Sequence, residues 1–331
     1  MKRVDVADKE LAYKEAIEKI EQVKREVGRY IVGQKDIIDT LVLTILAGGH
    51  ALLEGLPGLG KTMLVRSLSD VMELSFSRVQ FTPDLMPTDI TGTMVMSHDK
   101  DEPFTFHKGP LFHHLVLADE INRSTPKTQS ALLEAMAEQT VTVVGETMKL
   151  EKPFFVLATQ NPIDLEGTYP LPEAQMDRFM CKLLVPHPQK EELKEIVRRT
   201  TGTEEIHLQS VMDRAELLGI QKLVKEIMVG DEVLDFAIFL VESTHPDRES
   251  SSELVKRYIE YGSGPRGLQN LILMAKARAL VSGRYHVSIG DIKHTALPVL
   301  RHRISLNFEA EAMNVKEDEI LMDLIKRGAG S

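Results

Sequence analysis

Residues 55–62 read GLPGLGKT, and Gly55, Gly60, Lys61 and Thr62 satisfy the pattern G-x-x-x-x-G-K-[ST]. The chemistry of a polyphosphate explains that spacing. Glycines let the backbone curl so that successive N–H groups converge on phosphate oxygens. Lys61 supplies a point charge for the outer phosphates, and the Thr62 hydroxyl is a ligand for Mg²⁺. A helix beginning there adds its positive end. Pro57, Gly58, Leu59 and Met63 complete the expected nucleotide loop. A Gly-rich turn with a surface lysine is the plain alternative. The apolar run ALLE before the loop and the helical pattern after it weigh against that.

Asp119 and Glu120 end a second apolar run, LVLADE. Ligands of open α/β sheets bind at the carboxyl ends of strands. Asp119 is therefore expected in the Mg²⁺ shell, with Glu120 polarising the attacking water as a general base. Two solvated acids in a turn would look the same without the phosphate loop upstream. Asn161 follows FFVLATQ, where its amide can reach a γ-phosphate oxygen and the water, although Asn161-Pro162 is also a turn signal. Arg266, in GSGPRGLQNL, opens a helical pattern, where a cation opposes the helix dipole. A nearby anion, the γ-phosphate reached from a second domain, explains it; a solvated arginine beside a Pro-Gly turn is the other reading. Spacing alone reads Arg178, in PEAQMDRFM, as a surface ion pair. His107, His113 and His114 have neither helical i, i+4 spacing nor a cysteine partner, which argues against a metal site.

The elements that must carry these residues follow from hydropathy. Apolar runs at 51–54, 77–81, 115–119, 154–159 and 181–185 alternate with helical patterns at 61–71, 126–139 and 173–178, as in a doubly wound parallel α/β layer. A charged amphipathic helix over 8–29 and an apolar one over 35–47 precede them. After Pro186 and Pro188 only helices are expected: 189–200, 213–227, 231–243, 250–261, 267–282 and 288–300. Ser250 and Glu253 fit a capping box. The predicted organisation is an N-terminal helix (1–30), an α/β core (31–187), an all-helical lid (188–310) and a C-terminal helix or tail (311–331).

Bulk properties narrow the functional class. The 331 residues are 43% hydrophobic and 27% charged, a globular composition. The net charge of −10, the absence of tryptophan and the 5% aromatic content weigh against nucleic-acid binding. The apolar stretch from Leu41 is broken at Gly48, short of the ~20 residues of a membrane span. The single cysteine, Cys181, and a charged N-terminus without an apolar leader predict a cytoplasmic protein.

Taken together, the blocks IVGQ (31–34), EGLPGLGKT (54–62), QFTPDLMPTDITG (80–92), KGPLF (108–112), LADEINRSTPKTQSALLEAM (117–136), ATQNP (158–162), LPEAQMDRF (171–179) and GPRG (264–267) resemble an AAA+ ATPase of the MoxR family. The resemblance spans about residues 31–303. It implies ATP and Mg²⁺ as cofactors and a P-loop core with five parallel strands in order 5-1-4-3-2, followed by the lid. Val32, Gly33 and Gln34 would line the adenine pocket. Asn161 would be the sensor-1 residue, Arg178 an arginine finger acting on a neighbour, and Arg266 the sensor-2 residue. Residues 82–114 would carry a helix-2 insertion with a pore-side hairpin. GPRG departs from the family, which often has a small residue before the proline and alanine after the arginine. The family forms hexameric rings that act as chaperone-like remodellers, often beside proteins with a von Willebrand factor A domain.

The expected function is therefore ATP-driven remodelling or maturation of protein partners, by metal insertion or complex assembly. In that expectation Arg266 bridges core and lid only when a γ-phosphate is present. A DNA-dependent motor is the alternative, opposed by the acidic charge. A nucleotide-gated scaffold is a third, opposed by the candidate base Glu120.

Overall fold

The structure is a computed structural model that describes residues 6–96, 104–162, 167–203 and 206–328. Five strands form its central sheet: β1 (Ala51–Glu54), β2 (Phe76–Gln80), β3 (Leu115–Asp119), β4 (Phe155–Gln160) and β5 (Cys181–Leu184). All are parallel, in order β2-β3-β4-β1-β5, which read from the other edge is 5-1-4-3-2. β4 thus lies between the phosphate-loop strand and the Asp119 strand. The register pairs Glu54 with Gln160 and Gln80 with Asp119, so the candidate residues after these strands emerge at one end of the sheet.

Alternation along each strand feeds two cores. On one face Ala51, Leu53, Leu115, Leu117 and Leu157 pack against helices α1 (Val6–Tyr30), α2 (Lys35–Ala47) and α3 (Lys61–Val71) and against the lid. On the other face Leu52, Val116, Ala118, Val156 and Ala158 meet Leu132, Leu133 and Met136 of the helix Pro126–Glu138. Ile20, Val23 and Val27 of α1 are wholly buried in the first cluster, each contributing roughly 1.5–3 kcal/mol. The N-terminal helix and the lid therefore share a hydrophobic core with the α/β layer.

Two antiparallel hairpins project from the layer. Gly92–Met96 pairs with Phe104–Lys108 inside the predicted insertion, whose tip, 97–103, lies outside the described residues. Thr140–Val143 pairs with Glu146–Lys149, a hairpin the sequence reading missed. Its turn has φ 50° at Val144 and φ 84° at Gly145, two successive positive values as in a type I′ turn.

The lid departs from expectation in one segment. The helix predicted over 250–261 covers only Glu253–Tyr258, and Ile259–Tyr261 then pairs as a strand with Ser305–Leu306. Ser252, not Ser250, caps that helix, accepting from the Val255 N–H at 3.3 Å. Ser251 is held back by its hydrogen bond to the His245 carbonyl, so the chain is still turning at 250. Two further helices, Phe308–Ala312 and Glu317–Arg327, complete the described chain.

Candidate nucleotide site

The loop after β1 is built as its glycines require. Gly55 lies so close to β5 that a Cβ there would meet the Val185 Cβ at 2.9 Å. Gly60 has φ 76°, a left-handed conformation that lets α3 begin at Lys61. Lys61 is buried and folds back to donate to the Gly55 carbonyl at 2.5 Å. Burial lowers its pKa, while Asp119, Glu120 and Glu54 act in the opposite direction. Thr62 is half-buried in the first turn of α3.

The two acids are held by groups on the neighbouring strands. Thr159, on β4, donates to Asp119 Oδ1 at 2.6 Å and accepts from the Glu120 N–H at 2.8 Å. On β2, Arg78 donates to Asp119 Oδ2 from Nη2 (2.8 Å) and Nε (3.1 Å). Two residues further along the same strand, Gln80 donates to Glu120 Oε2 at 2.9 Å, an oxygen that also accepts from Arg123 at 3.2 Å. Glu120 itself has φ 56°, so the backbone turns sharply at the candidate base. Asn161 follows β4 and is buried beside the loop, where Gly55 N–H donates to the Gln160 carbonyl at 3.2 Å. The sequence reading missed Arg78, Gln80 and Thr159. For the first two, a signal existed: residues i and i+2 of a strand share a face.

A cleft of about 460 Å³ opens beside the loop. Val32, Gln34, Pro57, Gly58, Leu59, Gly60 and Met63 line it, as expected, with Tyr30 and Ile31. Its other wall is the first lid helix, Lys190–Thr201, through Leu193, Ile196, Arg199 and Thr200, preceded by His187. These lid residues were not foreseen. Gln34 ties the cleft to the loop, donating to the Leu59 carbonyl at 2.9 Å. Gly33 lies outside the lining, in the adjoining groove, where the Glu192 carboxylate packs over it.

The two arginines lie elsewhere, each on its own partner. Cys181, the first residue of β5, pairs with Ala51, and the Met180 N–H donates to the His50 carbonyl. Arg178 therefore sits at the amino end of the sheet, separated from the phosphate loop by the length of β5, about 13 Å. It donates to the Leu133 carbonyl. Arg266 ion-pairs with Asp177 at 2.9 Å, at the same end. Neither is among the described residues that line the chain's own cleft. In this structure Arg266 joins the lid to the core through Asp177. The lid reaches the cleft through helix 190–201 instead. The three histidines have separate settings: His107 is in the first hairpin, His113 faces the Pro110 carbonyl and His114 meets Ser75.

A parallel sheet in this order, a phosphate loop after β1 and paired acids after β3 define a P-loop nucleotide-binding protein of the AAA type. Comparison with known proteins agrees. The family described as "ATPase family associated with various cellular activities (AAA)" matches residues 50–181, and the AAA lid domain matches 251–324. The chain is 39% identical over 302 residues to "Chaperone MoxR1" of Mycobacterium tuberculosis, covering 91% of this chain and 80% of that one. It is 40% identical to the uncharacterized protein YeaC of Bacillus subtilis, covering 90% and 91%. A crystal structure from Cytophaga hutchinsonii, of a protein described as a candidate ATPase, superposes with a TM-score of 0.91 at 42% identity, covering 97% of each chain. The chain belongs to the MoxR family of AAA ATPases.

Proposed function

We propose that this chain hydrolyses ATP in a ring of identical subunits and uses the cycle to remodel a protein client. The observation that carries this reading is the separation of the site into two halves. Lys61, Thr62, Asp119, Glu120 and Asn161 converge at the carboxyl end of the sheet, and Arg178 and Arg266 at the other end. A second copy placed with its amino edge against the first copy's loop brings the halves together. That makes Arg178 and Arg266 both trans-acting.

In the proposed cycle the apolar cleft takes the adenine and Lys61 meets the β- and γ-phosphates. Glu120, oriented by Gln80, accepts the proton of the attacking water. The oxygens of Thr62 and Asp119 are hard donors of the kind Mg²⁺ selects. Bound there, the ion would neutralise charge on the outer phosphates. Arg178 and Arg266 of the adjacent copy stabilise the charge that develops at the γ-phosphate. Helix 190–201 touches the cleft directly, so occupancy and lid angle are coupled there.

The client role rests on similarity to Chaperone MoxR1 and on the exposed Met94, Val95, Met96 and Phe104 of the first hairpin. A protein with a von Willebrand factor A domain is the proposed partner class. Phosphate release by the purified chain, alone and with such a protein, tests the reading. Turnover that rises with the partner supports it. No turnover at saturating ATP overturns the hydrolytic part.

A further inference from the structure

The amino end of the sheet holds a cluster around Asp177 in which Asp177 and Arg303 have no part in the nucleotide chemistry described so far. Arg303, from the lid, is almost wholly buried, its side chain 1% exposed. All five of its N–H groups are engaged. Nε donates to Asp177 Oδ1 at 2.8 Å. Nη1 donates to the Met180 and Val299 carbonyls, and Nη2 to the carbonyls of Phe179 and Asp177. Asp177 is therefore fixed by both its side chain and its backbone. Its second oxygen, Oδ2, accepts from Arg266 Nη1 at 2.9 Å. The next residue in the chain is Arg178.

Gly267 explains how the lid comes this close. A Cβ there would meet Ser263 Oγ at 2.1 Å and the Arg303 Cδ at 3.0 Å. The glycine in GPRG, where the family often has alanine, lets the first turn of helix Pro265–Val281 settle onto the Arg303 stem.

We propose that Asp177 is a positioning residue, which holds Arg266 beside Arg178 so that both guanidinium groups meet the terminal phosphate of the adjacent copy. This rests on the trans-acting reading above. The charges favour it. Arg303 offsets the carboxylate, so Asp177, Arg303, Arg266 and Arg178 together carry a net positive charge toward a polyanion. The Arg266 side chain is 51% exposed, so a face stays open to a ligand while one N–H group is held. Ordering the side chain before the phosphate arrives is the preorganisation that makes such groups effective.

The test is a double-mutant cycle on ATP turnover in assembled rings, using Asp177→Asn and Arg266→Ala. Asp177→Asn is expected to lower kcat about ten- to a hundredfold, the scale of a misplaced catalytic group, with the KM for ATP unchanged because the cleft is untouched. The double variant should be no slower than Arg266→Ala alone. Multiplying losses, or wild-type kcat in Asp177→Asn, overturns the proposal while leaving the trans-acting reading in place. An Arg266→Ala variant with wild-type kcat overturns that reading instead. Should Asp177→Asn fail to fold, Asp177→Glu keeps the charge against Arg303 and displaces the second oxygen by one methylene. The same non-additivity is expected of it, and additivity or an unchanged kcat counts against the proposal.

Discussion

Arg266 and Asp177 form an ion pair 2.9 Å long that joins the lid to the core one residue before Arg178. The pair lies at the opposite end of the sheet from the chain's own phosphate loop. Two cations suited to a polyphosphate thus lie away from the chain's own loop, and in the proposed ring the nucleotide of a second copy would be the anion they meet.

Lys61→Ala should abolish ATP binding. The buried ammonium is the charge that compensates a desolvated triphosphate. Isothermal titration with ATP measures the effect, and near-normal affinity would show that the loop does not bind phosphate.

Glu120→Gln should bind ATP normally and lose about 10²–10⁴ in turnover, the scale of general base catalysis. The amide keeps the bond from Gln80 through its carbonyl oxygen but cannot take the proton of water. Single-turnover phosphate release measures this. A loss of only a few-fold would place the base elsewhere.

Acid should destabilise the core through His50. Its Nδ1 accepts from the Val156 N–H at 3.0 Å and its Nε2 faces the Met136 carbonyl at 3.2 Å. Burial pushes its pKa down to about 4, from 6.5. A depressed histidine contributes stability that is intact above about pH 6.5 and is lost as pH falls toward 4. The loss is about 2 to 3 kcal/mol between pH 7.5 and 4.5. Urea midpoints of the wild type should fall more across that window than those of His50→Gln. Parallel pH dependence would contradict the assignment.

The parts of this site written within a few residues were legible in the sequence: the loop 55–62, the pair Asp119–Glu120 and all five strands. Their chemistry depends on local backbone shape and on apolar runs, which a sequence displays directly. The rest depends on pairing across the fold. Arg78 meets Asp119 only because β2 lies beside β3, and Arg303 meets Asp177 across 126 positions. Residues 140–149 carry a Thr-Val alternation and a Val-Gly turn, a hairpin signal masked by the strong helix before it. The end of the sheet at which Arg266 lies is set by how the lid packs, which no local pattern encodes.

Mixed rings test the split site most directly. An Arg266→Ala chain keeps its loop and base, and a Glu120→Gln chain keeps both arginines. Each alone should be nearly inactive, as expected when trans-acting arginines worth about 10³–10⁵ in rate are lost. Mixed after subunit exchange, shown by fluorescence transfer between labelled chains, some interfaces pair an intact base with an intact arginine. ATP turnover should then partly return, and Arg178→Ala should behave the same way. If exchange occurs, wild type mixed with Glu120→Gln tolerates dead sites, and the Arg266→Ala mixture still recovers nothing, Arg266 acts within its own subunit and the split site is wrong.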